Sequence, residues 1–378
     1  MYLLEHGHLV IDGNREFLDG AILVDNGRIA EVYPQSSRVK DVPEGTERID
    51  LKGQVVMPGY FDTHTHGSIG ISFDDTDIEG FEKVSDDFLR SGTTGFIASL
   101  SYALDGDGYI EKLKMLEDYE SSRSRFMGIH LEGPFLSTKH IGVGDGKKFV
   151  GPDMELMERM LSASTKIRQM TIAYELEGAK EIGKLLKEKG IKVMCGHSDA
   201  VLENLDDNVD GFTHLFNAMR PLHHRDITLV NCAFMNRWQC EVITDGHHID
   251  RNVLKLILKN IDRDRIMIVT DSSMARNMPD GEYDFMSKKC FKKNGCFITD
   301  DGHFAGSTVS INDEIKVLYG LGAKYTDLLL YSSLNAFRFY ELDREYGTIE
   351  KGKHADLVFT DDDLNIQNVM IRGGFVHV

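Results

Sequence analysis

The sequence predicts an α/β protein: a (β/α)₈ (TIM) barrel with a small β-sandwich domain built from both chain termini. Three observations support this fold class. Eight apolar runs alternate with helix-like segments in the middle of the chain, both ends share a turn-rich β texture, and polar residues follow the apolar runs. Alternating strands and helices are typical of a parallel sheet, and 378 residues suit one barrel with an accessory domain.

The two ends of the chain have the sequence character of short strands joined by tight turns. Near the start, the stretches HLVIDGN, GAILVDNGRIAEVYP and RIDLKGQVVMPG are alternating or β-branched, and Asp25-Asn26-Gly27 is a hairpin signal. The C-terminal stretch GTIEKGKHADLVFTDDDLNIQNVMIRGGFVHV has the same texture. We therefore predict that residues 1–54 and 346–378 form the small β-sandwich domain and that residues 55–345 form the barrel.

The barrel strands are predicted from short apolar runs that precede polar or glycine-containing stretches. Helical patterns lie between the runs; for example, ELEGAKEIGKLLKEKG places Ala179, Ile182 and Leu186 on one stripe. The eight runs, in chain order, are VVMPGYFDTH, TTGFIASL, FMGIHLEG, MTIAYEL, IKVMCGHS, GFTHLFNAM, CEVITDG and IMIVTDSS.

The composition excludes several classes of function. The net charge is −18, with 43 basic and 61 acidic residues, which argues against binding to nucleic acid or to anionic membrane surfaces. No apolar run approaches the length of a membrane span, and the start MYLLEHGHLVIDG does not resemble a signal peptide. The five cysteines form no C-x-x-C pair, so we expect reduced thiols and a cytoplasmic location.

Polar residues occur where the predicted strands end, and this is the pattern that points to chemistry. Functional groups of such barrels lie at the carboxyl ends of the strands. A His-x-His pair alone is weak evidence, because His6 and His8 have the same spacing without further ligands nearby. The convergence of several ligand types is stronger, and its members are His64, His66, Glu132, His197, His214 and Asp271.

This set predicts a metal site with a separate proton-transfer group. Imidazole and carboxylate ligands suit Zn²⁺ or Fe²⁺. One carboxylate should stay off the metal, and Asp271 is the candidate. His130 shares a strand face with Glu132 but lies deeper, so we predict that it is packed or supports the ligands rather than being one.

The ordered set His-x-His, Glu, His, His, Asp on eight β-runs resembles the amidohydrolase superfamily. The motifs PGYFDTHTHG, GIHLEGPFL, GHSDA, FTHLFNAM, TDGHHID and VTDSS are similar, over nearly the whole chain, to the family of N-acetylglucosamine-6-phosphate deacetylases. The resemblance implies a metal-dependent hydrolase of amino-sugar catabolism that converts N-acetyl-D-glucosamine 6-phosphate to D-glucosamine 6-phosphate and acetate. It also implies a homodimer and one or two Zn²⁺ or Fe²⁺ ions per chain.

The resemblance assigns roles to individual residues. It implies that Glu132, His197 and His214 hold the metal, that His64 and His66 supply a second metal position, and that Asp271 is the catalytic acid and base. The implied substrate contacts are Asn217 and Ala218 on the sugar, Arg225 and His248 on the phosphate from the neighbouring subunit, and the backbone of Phe304, Ala305 and Gly306.

One segment departs from the family. Where its members carry a histidine that polarises the substrate carbonyl, this chain has Gly144, in the loop from Lys139 to Lys148. Either His140 or a second metal ion would then polarise the carbonyl. The alternatives for function are a deacetylase of another N-acetyl sugar phosphate such as N-acetylgalactosamine 6-phosphate, a cyclic amide hydrolase, and a catalytically silent scaffold.

Overall fold

The computed structural model describes residues 1–143, 146–286 and 288–376. Gly144, the predicted departure from the family, lies outside the described residues. The strands are β1 (Tyr2–Val10), β2 (Glu16–Asp25), β3 (Arg28–Tyr33), β4 (Glu47–Asp50), β5 (Val55–Pro58), β6 (Tyr60–Thr65), β7 (Gly67–Ser68), β8 (Ile71–Ser72), β9 (Thr93–Ser101), β10 (Arg125–Glu132), β11 (Ile167–Ile172), β12 (Lys192–Cys195), β13 (Gly211–Phe212), β14 (Gln239–Val242), β15 (Ile266–Ile268), β16 (Gly281–Phe285), β17 (Lys288–Lys293), β18 (Cys296–Thr299), β19 (Leu357–Thr360), β20 (Ile366–Ile371) and β21 (Gly374–Val376).

Helices follow most of the barrel strands. A π-helical segment, Leu330–Leu334, joins the last two α-helices into one continuous element. The α-helices are α1 (Ile78–Arg90), α2 (Gly106–Leu116), α3 (Met154–Ala163), α4 (Ala179–Glu188), α5 (Leu229–Ala233), α6 (Arg251–Asn260), α7 (Ile311–Gly320), α8 (Tyr325–Leu329) and α9 (Asn335–Phe339). Short 3₁₀ turns are Ser36–Arg38, Gly146–Lys148, Leu202–Asn204 and Arg263–Arg265.

The predicted barrel is confirmed. Eight parallel strands pair in the order β15-β14-β13-β12-β11-β10-β9-β6. The barrel closes between its first and last strands, where a parallel bridge joins Thr65 to Ser272. The backbone N–H of Asp271 donates to the carbonyl of His64 at 2.8 Å, and that of His66 donates to Ser272 at 2.8 Å. The closure therefore sets candidate ligands from the first and last barrel strands side by side.

Burial on both faces explains why the barrel strands are apolar runs rather than alternating ones. Every residue of β9, TTGFIASLS, is buried. The helices outside present amphipathic faces to the barrel: α4 buries Ala179, Ile182 and Leu186, the stripe predicted from the sequence. Asp77 caps the start of helix α1: its side chain accepts a hydrogen bond from the backbone N–H of Gly80 at 3.0 Å.

The two chain termini pair in one sheet, so the predicted small β-domain built from both ends of the chain is confirmed. The order of the sheet is β21-β20-β19-β5-β1-β2-β3, with β4 added to β1, and it has an apolar core of its own that includes Leu9, Ile22 and Phe359. The first predicted barrel run divides at Pro58-Gly59. Strand β5 pairs with β1 and β19 and therefore belongs to the terminal sheet. The barrel begins with β6. The division of the chain into domains at residues 54 and 346 remains a prediction.

A small antiparallel sheet, β16-β17-β18, lies between β15 and α7 in the sequence and was not predicted. Its apolar side chains Phe285 and Phe297 pack with Val143, Ala275 and Ala305 in a cluster beside the carboxyl end of the barrel. This sheet therefore helps to enclose the region in which the candidate site lies.

The five cysteines are free thiols, and Cys195 is buried as predicted. No helix in the described part of the chain has both the length and the hydrophobicity that a membrane span requires.

Candidate active site

Six predicted site residues meet at the carboxyl end of the barrel. Their side chains project from the carboxyl ends of five strands: Glu132 is the last residue of β10, His64 is the second-last residue of β6, and the others follow their strands within three positions. All six are buried: His64, His66, Glu132, His197, His214 and Asp271. Parallel strands that end at one rim bring these residues together although they are far apart in the sequence.

The six side chains form two groups of potential metal ligands. His64, His66 and Asp271 form one group, and Glu132, His197 and His214 form the other. In each group, one ligand atom from every residue lies within 4.8 Å of the others. Imidazole nitrogens and carboxylate oxygens at this spacing, in a buried site, can hold a divalent metal.

Glu132 lies between the two groups. Its Oε1 is 3.1 Å from Nε2 of His197 and 3.2 Å from Nε2 of His214. Its Oε2 is 3.2 Å from Nε2 of His66, and Oε1 is also 3.4 Å from Nε2 of His64. The Glu132 carboxylate is therefore placed so that it can contribute to either ligand group.

Asp271, unlike Glu132, lies close to the imidazoles of one ligand group only. Its Oδ1 is 3.3 Å from Nε2 of His66 and 3.6 Å from Nε2 of His64. Asp271 also lines the pocket that opens from the ligand groups. A carboxylate in that position can exchange a proton with a molecule in the pocket.

Hydrogen bonds behind the imidazoles fix two of their ring orientations. Nδ1 of His64 lies 3.1 Å from Oε2 of Glu241, and Nδ1 of His197 lies 2.9 Å from the backbone carbonyl of His140. Because these partners accept a proton, Nδ1 is the donor in both rings and Nε2 is left with its lone pair for a metal. Such tautomers suit the proposed ligands.

The electrostatics of the site are those of a cation-binding centre. Burial opposes ionisation of Glu132, but the surrounding imidazoles, led by His197, lower the pKa of its carboxyl well below the ordinary range. Burial also opposes ionisation of Asp271, yet contact with His66 lowers its pKa. Burial disfavours protonation of His66, but these two carboxylates raise its pKa to about 9. Because metal ligands must be deprotonated, a bound cation displaces such protons.

Three of these residues have left-handed backbone conformations. The φ angles are 45° at His197, 28° at His214 and 46° at Asp271. Non-glycine residues adopt such angles rarely, and strain of this kind clusters at functional sites. The backbone strain therefore indicates a functional site at these strand ends, and it does so independently of which side chains they carry.

His130 behaves as predicted for a packed residue. It is fully buried, and its two ring nitrogens lie 2.9 Å from Oγ of Ser99 and 2.8 Å from Oγ1 of Thr171. Burial keeps the pKa of its imidazole well below the ordinary value. With both nitrogens engaged by hydroxyl groups, His130 is not placed to bind a metal.

Four of the predicted substrate contacts line the pocket above the ligand groups. They are Asn217, Phe304, Ala305 and Gly306. At Gly306, φ is 76° and an added Cβ would lie 2.7 Å from the carbonyl oxygen of Asp271, so this close approach requires glycine. Ala218 is not among the residues that line this pocket; its carbonyl accepts a hydrogen bond from the backbone N–H of Ser198 at 3.2 Å.

The two predicted phosphate contacts are placed differently. His248 lies against Phe304, with 4.2 Å between ring centroids, and its Nδ1 is 2.7 Å from Oδ2 of Asp245. Its Nε2 is buried and has no hydrogen-bond partner among the described residues. Arg225 is exposed, and its guanidinium forms no hydrogen bond or ion pair with the described residues; only its backbone N–H donates, to Nδ1 of His223 at 3.3 Å.

Part of the pocket wall was not predicted from the sequence. Six further residues line it: Tyr102, Gly142, Val143, Ser273, Phe285 and Met286. Phe285 is the last residue of β16 in the unpredicted sheet and Met286 follows it; Asn294-Gly295 between β17 and β18 was the available hairpin signal for this sheet. His140, which was weighed as a carbonyl donor, directs its Nε2 to Oδ1 of Asp199 at 3.2 Å.

Comparison with known proteins agrees with this geometry. The model of the amidohydrolase family matches residues 55–376. The chain belongs to the amidohydrolase family. This amidohydrolase is 27% identical to an N-acetylglucosamine-6-phosphate deacetylase of Lysinibacillus sphaericus, over 97% of this chain and 95% of that protein. It is also 27% identical to an N-acetylgalactosamine-6-phosphate deacetylase of Escherichia coli O157:H7, over 94% of each chain.

A solved structure extends the comparison to a substrate complex. A mutant N-acetyl-D-glucosamine-6-phosphate deacetylase from Mycobacterium smegmatis, in complex with N-acetyl-D-glucosamine-6-phosphate, superposes on this amidohydrolase with a TM-score of 0.91 and 25% identity. The alignment covers 100% of this chain and 99% of that one. The likeness therefore includes both the barrel and the sheet formed by the termini.

Proposed function

We propose that this amidohydrolase removes the acetyl group of N-acetyl-D-glucosamine 6-phosphate and releases D-glucosamine 6-phosphate and acetate. The observation that carries the proposal is the joining of two ligand groups through Glu132, beneath a pocket lined by Asp271 and Asn217. The full-length similarity to N-acetylglucosamine-6-phosphate deacetylases supports this choice of substrate. A silent scaffold is disfavoured, because it would need neither the buried ligand set nor its strained backbone.

We assign the metal to the two ligand groups. Glu132, His197 and His214 would hold one ion, and His64 and His66 would supply a second position. Zn²⁺ and Fe²⁺ both suit this donor set. When bound, the metal would activate water for attack and polarise the amide carbonyl as a Lewis acid.

The residues of the chain would carry the proton and the orientation. Asp271 would accept the proton lost by the attacking water and deliver it to the amide nitrogen, so that the amine can leave. Its position in the pocket, 3.3 Å from His66, is consistent with both tasks. Asn217 and the backbone of Ala305 and Gly306 would hold the sugar, and Phe304 and Phe285 would restrict the entry of bulk water.

The phosphate requires a cationic partner, because the chain carries a net charge of −18. We propose Arg225 and His248 for this role. An exposed arginine with no hydrogen-bonded or ionic partner among the described residues can reach a phosphate in a neighbouring subunit, and guanidinium groups bind phosphate oxygens in a forked manner. This arrangement supports a homodimer with shared sites. A cytoplasmic location remains a prediction.

The galactosamine epimer is the second candidate substrate. The similarity to the E. coli N-acetylgalactosamine-6-phosphate deacetylase is as high as that to the glucosamine enzyme of L. sphaericus. The two sugars differ only in the orientation of one hydroxyl group. The pocket wall near Gly142 and Val143, at the edge of the atypical loop, would distinguish the two orientations.

Acetate release from a panel of substrates tests the proposal. The panel contains N-acetylglucosamine 6-phosphate, N-acetylgalactosamine 6-phosphate, unphosphorylated N-acetylglucosamine and a cyclic amide. We expect kcat/KM to be highest for the glucosamine phosphate. A preference for the galactosamine epimer would select the second candidate, and activity confined to the cyclic amide would refute both.

A further inference from the structure

A buried carboxylate outside the ligand groups lies in contact with one of the proposed metal ligands. Glu241 is in the barrel strand β14, has no exposed surface, and directs its side chain towards the barrel interior. Its Oε2 lies 3.1 Å from Nδ1 of His64. We propose that Glu241 is a positioning residue that holds the His64 ring with Nε2 free, and thereby sets the metal affinity of the group formed by His64, His66 and Asp271.

The contact determines the tautomer of His64. A carboxylate oxygen accepts but does not donate when it is ionised, so Nδ1 of His64 carries the proton and Nε2 keeps its lone pair. Nε2 is the atom that faces the other ligands, at 3.2 Å from Nε2 of His66 and 3.6 Å from Oδ1 of Asp271. A carboxylate behind a ligating imidazole also raises the basicity of the ring, which strengthens its bond to a metal.

Two further side chains hold Glu241 in place. The Nε2 amide of Gln169 donates to Oε1 of Glu241 at 2.8 Å, and the hydroxyl of Tyr340 donates to Oε1 of Gln169. Because Tyr340 fixes which end of the amide is the acceptor, Gln169 must present its NH₂ group to Glu241. Both oxygens of the Glu241 carboxylate therefore have a donor, and the chain of hydrogen bonds runs from Tyr340 through the barrel to His64.

The other imidazoles lack a support of this kind. Nδ1 of His197 faces a backbone carbonyl, and Nδ1 of His66 and of His214 has no hydrogen-bond partner among the described residues. Within the described chain, His64 is thus the one proposed ligand whose Nδ1 meets a carboxylate. Glu241 also places a negative charge behind His64, which strengthens cation binding by the group to which His64 belongs.

The inference rests on the proposed metal site and is tested by zinc binding rather than by activity alone. Metal-free Glu241→Gln is titrated with Zn²⁺ against a chelator, beside wild type. The amide cannot accept from His64 without turning its own NH₂ towards that of Gln169. We expect the weaker of two zinc equivalents to bind about 10–100-fold less tightly, with the tighter equivalent changed by less than about twofold.

The matched control is Glu314→Gln. Glu314 is also a fully buried glutamate, and its Oε1 accepts from the backbone N–H of Thr244 at 2.8 Å, with no contact to a proposed ligand in the described structure. It should leave both zinc equivalents unchanged. Equal zinc binding by Glu241→Gln and Glu314→Gln would overturn the inference, as would a wild type that binds only one zinc.

A double variant separates position from charge. Glu241→Gln with Gln169→Glu moves the buried charge away from His64 but also replaces the opposing NH₂ group, so the amide at position 241 can donate to the carboxylate at position 169 and accept from Nδ1 of His64. Zinc binding should therefore recover towards the wild-type affinity, and binding as weak as in Glu241→Gln alone would refute the positioning role. If Glu241→Gln does not fold, as judged by circular dichroism, Glu241→Asp replaces it, because aspartate keeps the charge and falls short of Nδ1; wild-type affinity in that variant would equally refute the contact. Acetate release by wild type shows whether the proposed function stands when this inference fails.

Discussion

Oε2 of Glu132 lies 3.2 Å from Nε2 of His66, whereas Oε1 of the same carboxylate faces the imidazoles of the other ligand group. One side chain thus reaches both groups. Its last position in β10 places it at the barrel rim between β9 and β11. The two groups should therefore lose metal together when Glu132 is removed, and separately when a histidine is removed.

The first prediction concerns metal content. Glu132→Gln should lose metal from both groups, because the amide supplies neither the charge nor a second anionic oxygen. His64→Asn combined with His66→Asn should lose it from one group only and leave the ion held by His197 and His214. Elemental analysis for zinc and iron, on protein purified without added metal, measures both. Undiminished metal in Glu132→Gln would contradict the bridging position.

The second prediction concerns Asp271. If it transfers protons, Asp271→Asn should retain bound metal and lower kcat by about 10²–10⁴-fold, the usual contribution of general acid–base catalysis. Asparagine has the same shape but cannot accept the proton from water. Loss of metal in parallel with activity would instead make Asp271 a ligand, so metal content is measured on the same sample as kcat.

The third prediction concerns the phosphate. Arg225→Ala should raise KM for N-acetylglucosamine 6-phosphate much more than for the unphosphorylated sugar, because only the former has an anionic group for the guanidinium to bind. Arg338→Ala is the control: Arg338 is also exposed but lies in α9 at the other end of the barrel, beside the first residues of β12 and β14. Equal increases in KM for both sugars would refute the assignment.

The same variant tests whether the site is shared between subunits. Mixed with Asp271→Asn, Arg225→Ala should regain part of the activity, because a hybrid dimer contains one site with both an intact Asp271 and an intact Arg225. Each variant is assayed alone after the same treatment. No recovery in hybrids whose formation is verified would place Arg225 and Asp271 in the same site of one chain.

The fourth prediction concerns Glu314 and pH. Burial raises the pKa of this carboxyl well above its ordinary value. Because the folded state favours the protonated form, this carboxyl contributes its full stability only below its pKa in the unfolded chain, near 4.5. That stability is lost as pH rises through its pKa in the folded protein. Glu314→Gln removes this dependence. Its Tm should exceed that of wild type by at least about 2 °C at alkaline pH, and the difference should shrink in acid. A difference that is constant with pH would contradict the shift.

The fold was largely predictable because barrel strands are buried on both faces. Runs such as TTGFIASL are short, apolar and bounded by turns, so their number could be read directly. The division at Pro58-Gly59 was not predicted, since β5 and β6 are both apolar and only pairing shows that they belong to different sheets. The sheet β16–β18 was missed because its surface-exposed strands carry alternating charges that also suit a loop.

The site was predictable for residues at strand ends and not for those that act through another residue. His64 and Asp271 could be placed because every barrel strand ends at the same rim. Glu241 could not, because an acidic residue within CEVITDG has no special sequence context. Only the closed barrel shows that its side chain meets His64. Arg225 was assigned to the phosphate only through the family resemblance, since its proposed target lies in another chain.

The last prediction concerns activation of the substrate carbonyl. The imidazole of His140 is 3.2 Å from Asp199 and does not line the pocket, while its backbone carbonyl accepts the Nδ1 proton of His197. The contribution of His140 to the site in this structure therefore comes from its backbone, which a substitution leaves in place. A second ion near His64 and His66 is the alternative source of polarisation.

His140→Asn should accordingly change kcat by less than about threefold, whereas His64→Asn with His66→Asn should lower it by at least about tenfold, because one ion can then no longer bind the carbonyl oxygen while the other activates water. Both variants are compared at saturating substrate, and their metal content is measured. If His140→Asn is the severe variant and the double variant is mild, the imidazole must leave Asp199 when substrate binds and act as the donor. If neither change lowers kcat, both accounts fail and the carbonyl is polarised by a different group of the pocket wall.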